Sequence, residues 1–178
     1  MKQIFLIVLC CVTIRIDAQS VLGKLFPEIS GETCNDKPIS IPKDTKGKMT
    51  LIGMAYSQKA ETDLKTWLSP VYNKFIVKTG MFDSEFEVNL YFIPLFTGAN
   101  FGAAKMAKKK LKEDTDPILH PYVIFYEGGI KKYKEELDFD KKDTAYFFVL
   151  DESGKIVYAT SGQYNEDKMD AIEEFVDK

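Results

Sequence analysis

Cysteine and histidine are nearly absent from this chain of 178 residues, with three cysteines, Cys10, Cys11 and Cys34, and one histidine, His120. A metal centre needs several such ligands at suitable spacing, so no metal site and no cofactor is expected. A glycine-rich phosphate loop is missing too, since Gly128-Gly129 fits a turn. Neither sign of charge dominates: 24 Lys and Arg stand against 27 Asp and Glu, a net charge of -3. Such a balance sets up no strong field, and nucleic acid is not an expected partner. Long apolar runs are absent as well. The stretch from Ile4 to Ile14 falls short of the about 20 residues that span a bilayer, so no stable membrane insertion is expected.

That short run has another reading. Lys2 precedes it, and Ile16-Asp17-Ala18 offers a cleavage site before Gln19. Residues 1–18 are therefore read as a signal peptide and 19–178 as a single domain, exported to a periplasm or the cell exterior. The alternative is a lipoprotein acylated at Cys10 or Cys11, for which Leu9 and Cys10 are poor neighbours. Cleavage leaves Cys34 as the sole cysteine, which excludes an internal disulfide. Cys34 lies in the turn-rich Glu32-Thr33-Cys34-Asn35-Asp36 and is expected as a small half-buried hairpin residue. A peroxidatic or mixed-disulfide role is its alternative.

What remains is rich in pattern: 45% of residues are hydrophobic and 13% aromatic, enough for one well-buried domain. Ile39 and Ile41 alternate with polar neighbours after a turn at Asn35-Asp36-Lys37, and Lys46-Gly47-Lys48 makes a second turn. Met49 to Tyr56 is a buried strand running into a helix, with Ser57 as N-cap. Leu64, Trp67, Leu68, Val71, Tyr72, Phe75 and Ile76 form that helix's apolar face, which Pro70 should kink. Phe86 to Pro94 reads as a central strand and Gly98 to Lys112 as a weaker helix. Lys105, Lys108, Lys109, Lys110 and Lys112 suit the negative end of that helix and are expected in solvent, with an anion or partner patch as the alternative. Tyr122 to Tyr126 is a strand, a short helix spans about Ile130 to Leu137, and Thr144 to Leu150 pairs with Lys155 to Thr160 around Asp151-Glu152-Ser153-Gly154. A last helix, Asn165 to Asp177, buries Met169, Ile172, Phe175 and Val176. This order gives an α/β protein, a mixed sheet with helices on both faces.

The junction after Met54-Ala55-Tyr56, the hairpin from Val149 to Val157 and the capped final helix resemble exported thioredoxin-like and peroxiredoxin-like proteins, over about Leu25 to Val176. The chain also resembles, more closely, the mitochondrial ATP-synthase assembly factors of thioredoxin-like type, which lack the paired cysteines. Phe26-Pro27-Glu28-Ile29-Ser30-Gly31, Gly47-Lys48-Met49-Thr50-Leu51, the stretch His120 to Gly128, Ala145 to Asp151 and Ala159-Thr160-Ser161-Gly162 carry that likeness. The resemblance implies a thioredoxin-like three-layer sandwich. It also implies that Gln58 and Glu61 occupy the two cysteine positions, and that Asp143-Thr144-Ala145 stands where thioredoxins place a cis-proline before the strand facing the thiols. Both halves of a dithiol-exchange site are then missing.

No catalytic residue is assigned. His120 before Pro121 is expected to make a structural hydrogen bond rather than serve Ser57 in a triad, and Gln58 with Glu61 is expected to be a polar pair on an exposed loop. The function read from the chain is an exported, non-catalytic, chaperone-like or assembly-factor-like module of a bacterial-type cell envelope. Its protein or peptide partner would lie in the old substrate groove lined by Tyr56, Ser57, Gln58, Lys59 and Thr144, with Ser57, Gln58, Glu61 and Thr144 as the vestigial active-site positions. The alternative is a residual thiol redox protein using Cys34.

Overall fold

A computed structural model describes residues 21–77, 87–100 and 102–176. The expected signal peptide and the start of the strand at Phe86 lie outside them. The elements run β1 (Ile29–Thr33), β2 (Pro38–Ile41), β3 (Met49–Ala55), α1 (Gln58–Phe75), β4 (Val88–Phe96), α2 (Ala104–Asp114), β5 (Ile124–Glu127), α3 (Lys131–Glu136), β6 (Tyr146–Leu150), β7 (Ile156–Ser161) and α4 (Glu166–Val176).

The strands form one seven-stranded mixed sheet in the order β2-β1-β5-β4-β3-β6-β7. β3 sits near its middle, parallel to β4 and antiparallel to β6. A strand buried on both faces needs a near-continuous apolar run, and β3 supplies one from Leu51 to Ala55, while buried Thr50 accepts from Asn89 Nδ2 at 3.3 Å. Leu51 and Ala55 face a layer containing Leu64, Trp67 and Val71 of α1 and Met169 and Ile172 of α4. Ile52 and Met54 face the opposite layer with Phe26, Tyr133, Phe139 and Phe148. The result is the expected three-layer sandwich. Gly53 interrupts the apolar run because a Cβ there would lie 2.7 Å from the Phe147 ring and 2.8 Å from Leu64.

Trp67 anchors α1. It is 0% exposed, stacks on Phe147 at 4.1 Å, and its Nε1 donates to the Gly162 carbonyl at 3.0 Å. Pro70 lies inside α1 without ending it. The β6–β7 turn is as expected. Asp151 Oδ1 accepts from Ser153 N, Ser153 Oγ and Lys155 N, while Gly154 takes the left-handed conformation at φ 89°.

Several expectations are corrected. The second helix begins at Ala104 rather than Gly98, because Glu127 Oε1 accepts from Gly102 N at 2.8 Å and Ala104 N at 3.2 Å, fixing the start. Not all of its lysines are solvated. Lys108, whose side chain is 13% exposed, pairs with Asp36 at 2.6 Å and Glu32 at 3.2 Å, and Lys112 pairs with Asp36 at 2.9 Å. The helix thereby clamps the β1–β2 hairpin. Beneath the clamp Cys34 is fully buried, not half-buried, with Sγ 3.9 Å from the Lys108 carbonyl. His120 lies in a 3-10 turn, Pro117–Tyr122, and its buried Nε2 has no hydrogen-bond partner, so the structural bond expected there is not formed at that atom.

The strand–helix junction as candidate functional site

At the end of β3 the chain turns at Tyr56 and Ser57 and enters α1. Ser57 is extended, φ -147° and ψ 159°, and its Oγ accepts from Ala60 N at 3.1 Å. This side-chain cap satisfies one of the helix's free N–H groups. The same hydroxyl donates to Asp143 Oδ1 at 3.0 Å, across to the loop that precedes β6. Thr144 is next in that loop and half-buried. The structure thus brings Ser57 and the Asp143-Thr144 segment together. It adds the bond between them, which the sequence reading missed; no local signal links residues 57 and 143.

Gln58 and Lys59 are exposed on the first turn of α1, and Glu61 is partly buried. The expected polar pair on a loop is therefore a pair on a helix, because the Ser57 cap starts the helix immediately. Burial raises the Glu61 carboxyl above the ordinary range against the opposing pull of Lys65. A positive helix end stabilises an anion, and here the side chains within its reach are an amide, a carboxylate and a hydroxyl. None can exchange disulfides.

Tyr56 takes a different place from the one expected of a groove residue. It is 7% exposed, its ring is parallel to Phe139 at 5.8 Å, and its hydroxyl donates to the Phe139 carbonyl at 3.4 Å. Lys134 Nζ lies over the ring, 5.4 Å from its centroid. Burial, then the Asp140 and Asp143 carboxylates, push the phenol above its usual range. Phe139 in turn stacks on Tyr146 at 4.5 Å, and Tyr146 donates to Asp140 Oδ1 at 2.8 Å while accepting from Lys141 N at 2.7 Å. The loop between α3 and β6 is therefore held by aromatic stacking below and hydrogen bonds above.

A cavity of about 430 Å³ opens behind this loop, among Val21, Lys134, Leu137, Tyr146, Phe148 and Ala159. His120 does not line it, and the Ser57–Asp143 pair lacks the imidazole that would relay a proton in a triad. Cys34 offers no substitute nucleophile: burial pushes its thiol up by more than Lys112 and Lys108 pull it down. Among the described residues no group of three or more His, Cys, Asp or Glu is placed to hold a metal ion, and no helix is long and apolar enough to cross a membrane.

Solved structures share this architecture. A thioredoxin-family thiol:disulfide interchange protein from Chlorobium tepidum TLS superposes with TM-score 0.55 at 16% identity, covering 86% of this chain and 95% of that one. A DsbF homologue from Corynebacterium diphtheriae gives 0.54 at 16% identity, covering 86% and 88%. The pneumococcal exposed lipoprotein thioredoxin Etrx1 from Streptococcus pneumoniae strain TIGR4 gives 0.51 at 15% identity, covering 83% and 99%. At such identities the likeness concerns the fold, which is thioredoxin-like. None of the curated proteins matches the chain. A family model described as ATP10 protein matches residues 22–178, nearly the whole of it. The thioredoxin-like fold thus coincides with a family match over the same residues, and the chain belongs to the ATP10 protein family.

Proposed function

We propose that this protein is a non-catalytic thioredoxin-like module that binds another protein during assembly, the role implied by its resemblance to ATP-synthase assembly factors. The observation that carries the reading is the junction itself. The head of α1 carries Gln58 and Glu61 and no sulfur, and the Ser57 hydroxyl caps α1 and holds Asp143. A fold that keeps the groove's walls and loses its nucleophile retains recognition without exchange. In this reading the partner meets exposed Gln58 and Lys59 and the half-buried Thr144, with Tyr56 supporting the loop from below. Residues 1–18 would be removed on transport across a membrane, leaving Gln19 first and the domain soluble in an envelope compartment or outside the cell.

The test places a photo-crosslinking phenylalanine derivative at Lys59 in cells and identifies adducts by mass spectrometry. One dominant protein adduct, absent when the derivative is moved to Lys74 at the far end of α1, is expected. Absence of any adduct specific to position 59, or disulfide reduction of insulin by the purified wild type, would overturn the reading. The residual-redox alternative at Cys34 would require turnover that is lost on Cys34→Ser, and the buried, high-pKa thiol gives it no support.

A further inference from the structure

A sheet presents two edges, and each must be paired, blocked or used. The β2 edge is blocked: Pro38 has no N–H, Ser40 N donates to Asp44 Oδ2 at 2.8 Å, and the strand ends at Ile41. The β7 edge is treated differently. At its start, Gly23 N donates to the Ile156 carbonyl at 2.8 Å and Ile156 N to the Lys24 carbonyl at 2.9 Å, so the entry segment covers it. At its end, Lys168 Nζ donates to the Ser161 carbonyl at 2.9 Å. Among the described residues nothing covers its middle. Gly162 N donates inward to the Ala145 carbonyl, so backbone groups two residues apart from Gly162 also face β6. Ala159 and Ser161 therefore point outward, as the Lys168 contact at Ser161 confirms. The parity change from Ile156 follows from the register shift opposite Val149 and Leu150. Among the described residues no backbone partner reaches the Ala159 N–H, the Ala159 carbonyl or the Ser161 N–H.

The 430 Å³ cavity lies at this open window, lined by Ala159, Thr160 and Ser161 of β7. Its floor is Val21, Leu137 and Phe148, and its rim carries Lys134 and Lys141 against Asp138 and Asp140.

We infer that the β7 edge and this cavity form a second docking site, separate from the junction, for a short extended segment of a partner protein that adds a strand beside Ala159 and Ser161 and seats one uncharged aromatic side chain in the cavity. Free backbone donors and acceptor on an edge strand are complementary to another strand and to little else. The blocks at Ile156 and at the Ser161 carbonyl limit the added strand to a few residues. The balanced rim of lysines and aspartates favours neither sign of charge, while the apolar floor rewards a large uncharged side chain.

The probe is the peptide acetyl-Thr-Val-Thr-Tyr-Thr-Val-Thr-amide, whose alternation places valines and tyrosine on one face. The readout is amide hydrogen exchange of the full chain by NMR. Without peptide, Ala159 and Ser161 amides should exchange fast while Phe147 and Phe148 are protected. Millimolar peptide should slow Ala159 and Ser161 by about tenfold or more. The same peptide N-methylated on the amides that face β7 should not, and Ala159→Pro, which removes an outward N–H, should abolish the effect. Slow exchange at Ala159 without peptide would show that the chain's own residues fill the edge and would overturn the proposal. So would equal protection by the N-methylated peptide, or changes confined to Ser57 and Gln58, which would assign the peptide to the junction instead.

Discussion

Removing the Ser57 hydroxyl tests whether the junction is a built structural unit or an incidental contact. Ser57→Ala deletes two bonds, the cap from Ala60 N at 3.1 Å and the link to Asp143 Oδ1 at 3.0 Å. Loss of a serine N-cap costs about 1 kcal/mol. The link joins a half-exposed hydroxyl to an exposed carboxylate, so water replaces much of it, and about 0.5 kcal/mol is a fair allowance. The sum is about 1.5 kcal/mol, which for a domain of this size lowers Tm by roughly 3–6 °C. Urea unfolding followed by fluorescence measures it directly, because Trp67 is the chain's one tryptophan and is fully buried. The midpoint should fall with the slope unchanged. Asp143→Ala removes only the link and should cost about a third as much, with Ser57→Asp between them, since it keeps a cap but sets two carboxylates together. The reasoning fails if Asp143→Ala costs as much as Ser57→Ala, or if Ser57→Ala costs nothing.

The remaining predictions address the clamp, the thiol and the lost motif. Hydrogen bonds from Lys108 and Lys112 hold the Asp36 carboxyl down at about 2, so its contribution is complete above the ordinary 3.8 and is lost as pH falls through about 2. An NMR titration of Asp36 should show that midpoint, and Lys108→Met should move it up toward 3.8; an unmoved midpoint would separate the shift from the clamp. Cys34 should react with an aromatic disulfide reagent in native buffer far more slowly than in urea, in keeping with its complete burial, and comparable rates would contradict the packing over it. Gln58→Cys with Glu61→Cys should form a disulfide within the first turn of α1 yet reduce insulin poorly until Thr144→Pro is added, because exchange also needs the incoming chain docked opposite the thiols. Full activity in the double variant would show that the Thr144 side of the groove has not diverged.

The alternation and helical periods of this sequence dictate the fold because each buried face is written locally. β6 alternates Tyr146, Phe148 and Leu150 toward one layer with Phe147 and Val149 toward the other, and the period of two is visible without any structure. The Ser57 cap and the Asn165 cap, whose Oδ1 accepts from Lys168 N, are equally local. Contacts between distant segments are another matter. The lysines of α2 carry no mark that separates Lys108, folded onto the hairpin, from exposed Lys109 and Lys110. Only the antiparallel placement of β1 beside β5, with the start of α2 held by Glu127 of β5, brings Asp36 and Glu32 under that helix. Cys34 is deeper than its turn-rich surroundings suggest for the same reason.

The candidate site divides along the same line. That no sulfur stands at the head of α1 is legible from Ser57-Gln58-Lys59-Ala60-Glu61 alone. The Ser57–Asp143 link is not, because the two residues are 86 apart and meet only through the β3–β6 pairing. That pairing holds Gly53 opposite Phe147 and Met54 opposite Tyr146, which fixes the pre-β6 loop beside the helix start. A partner strand that took the place of Asp143 beside Ser57 would have to break that link. Since the link is solvent-exposed, about 1 kcal/mol or less opposes that displacement, under a tenfold loss in affinity. The cap to Ala60 N faces into the helix and need not break. The junction can therefore open toward a partner while α1 stays intact.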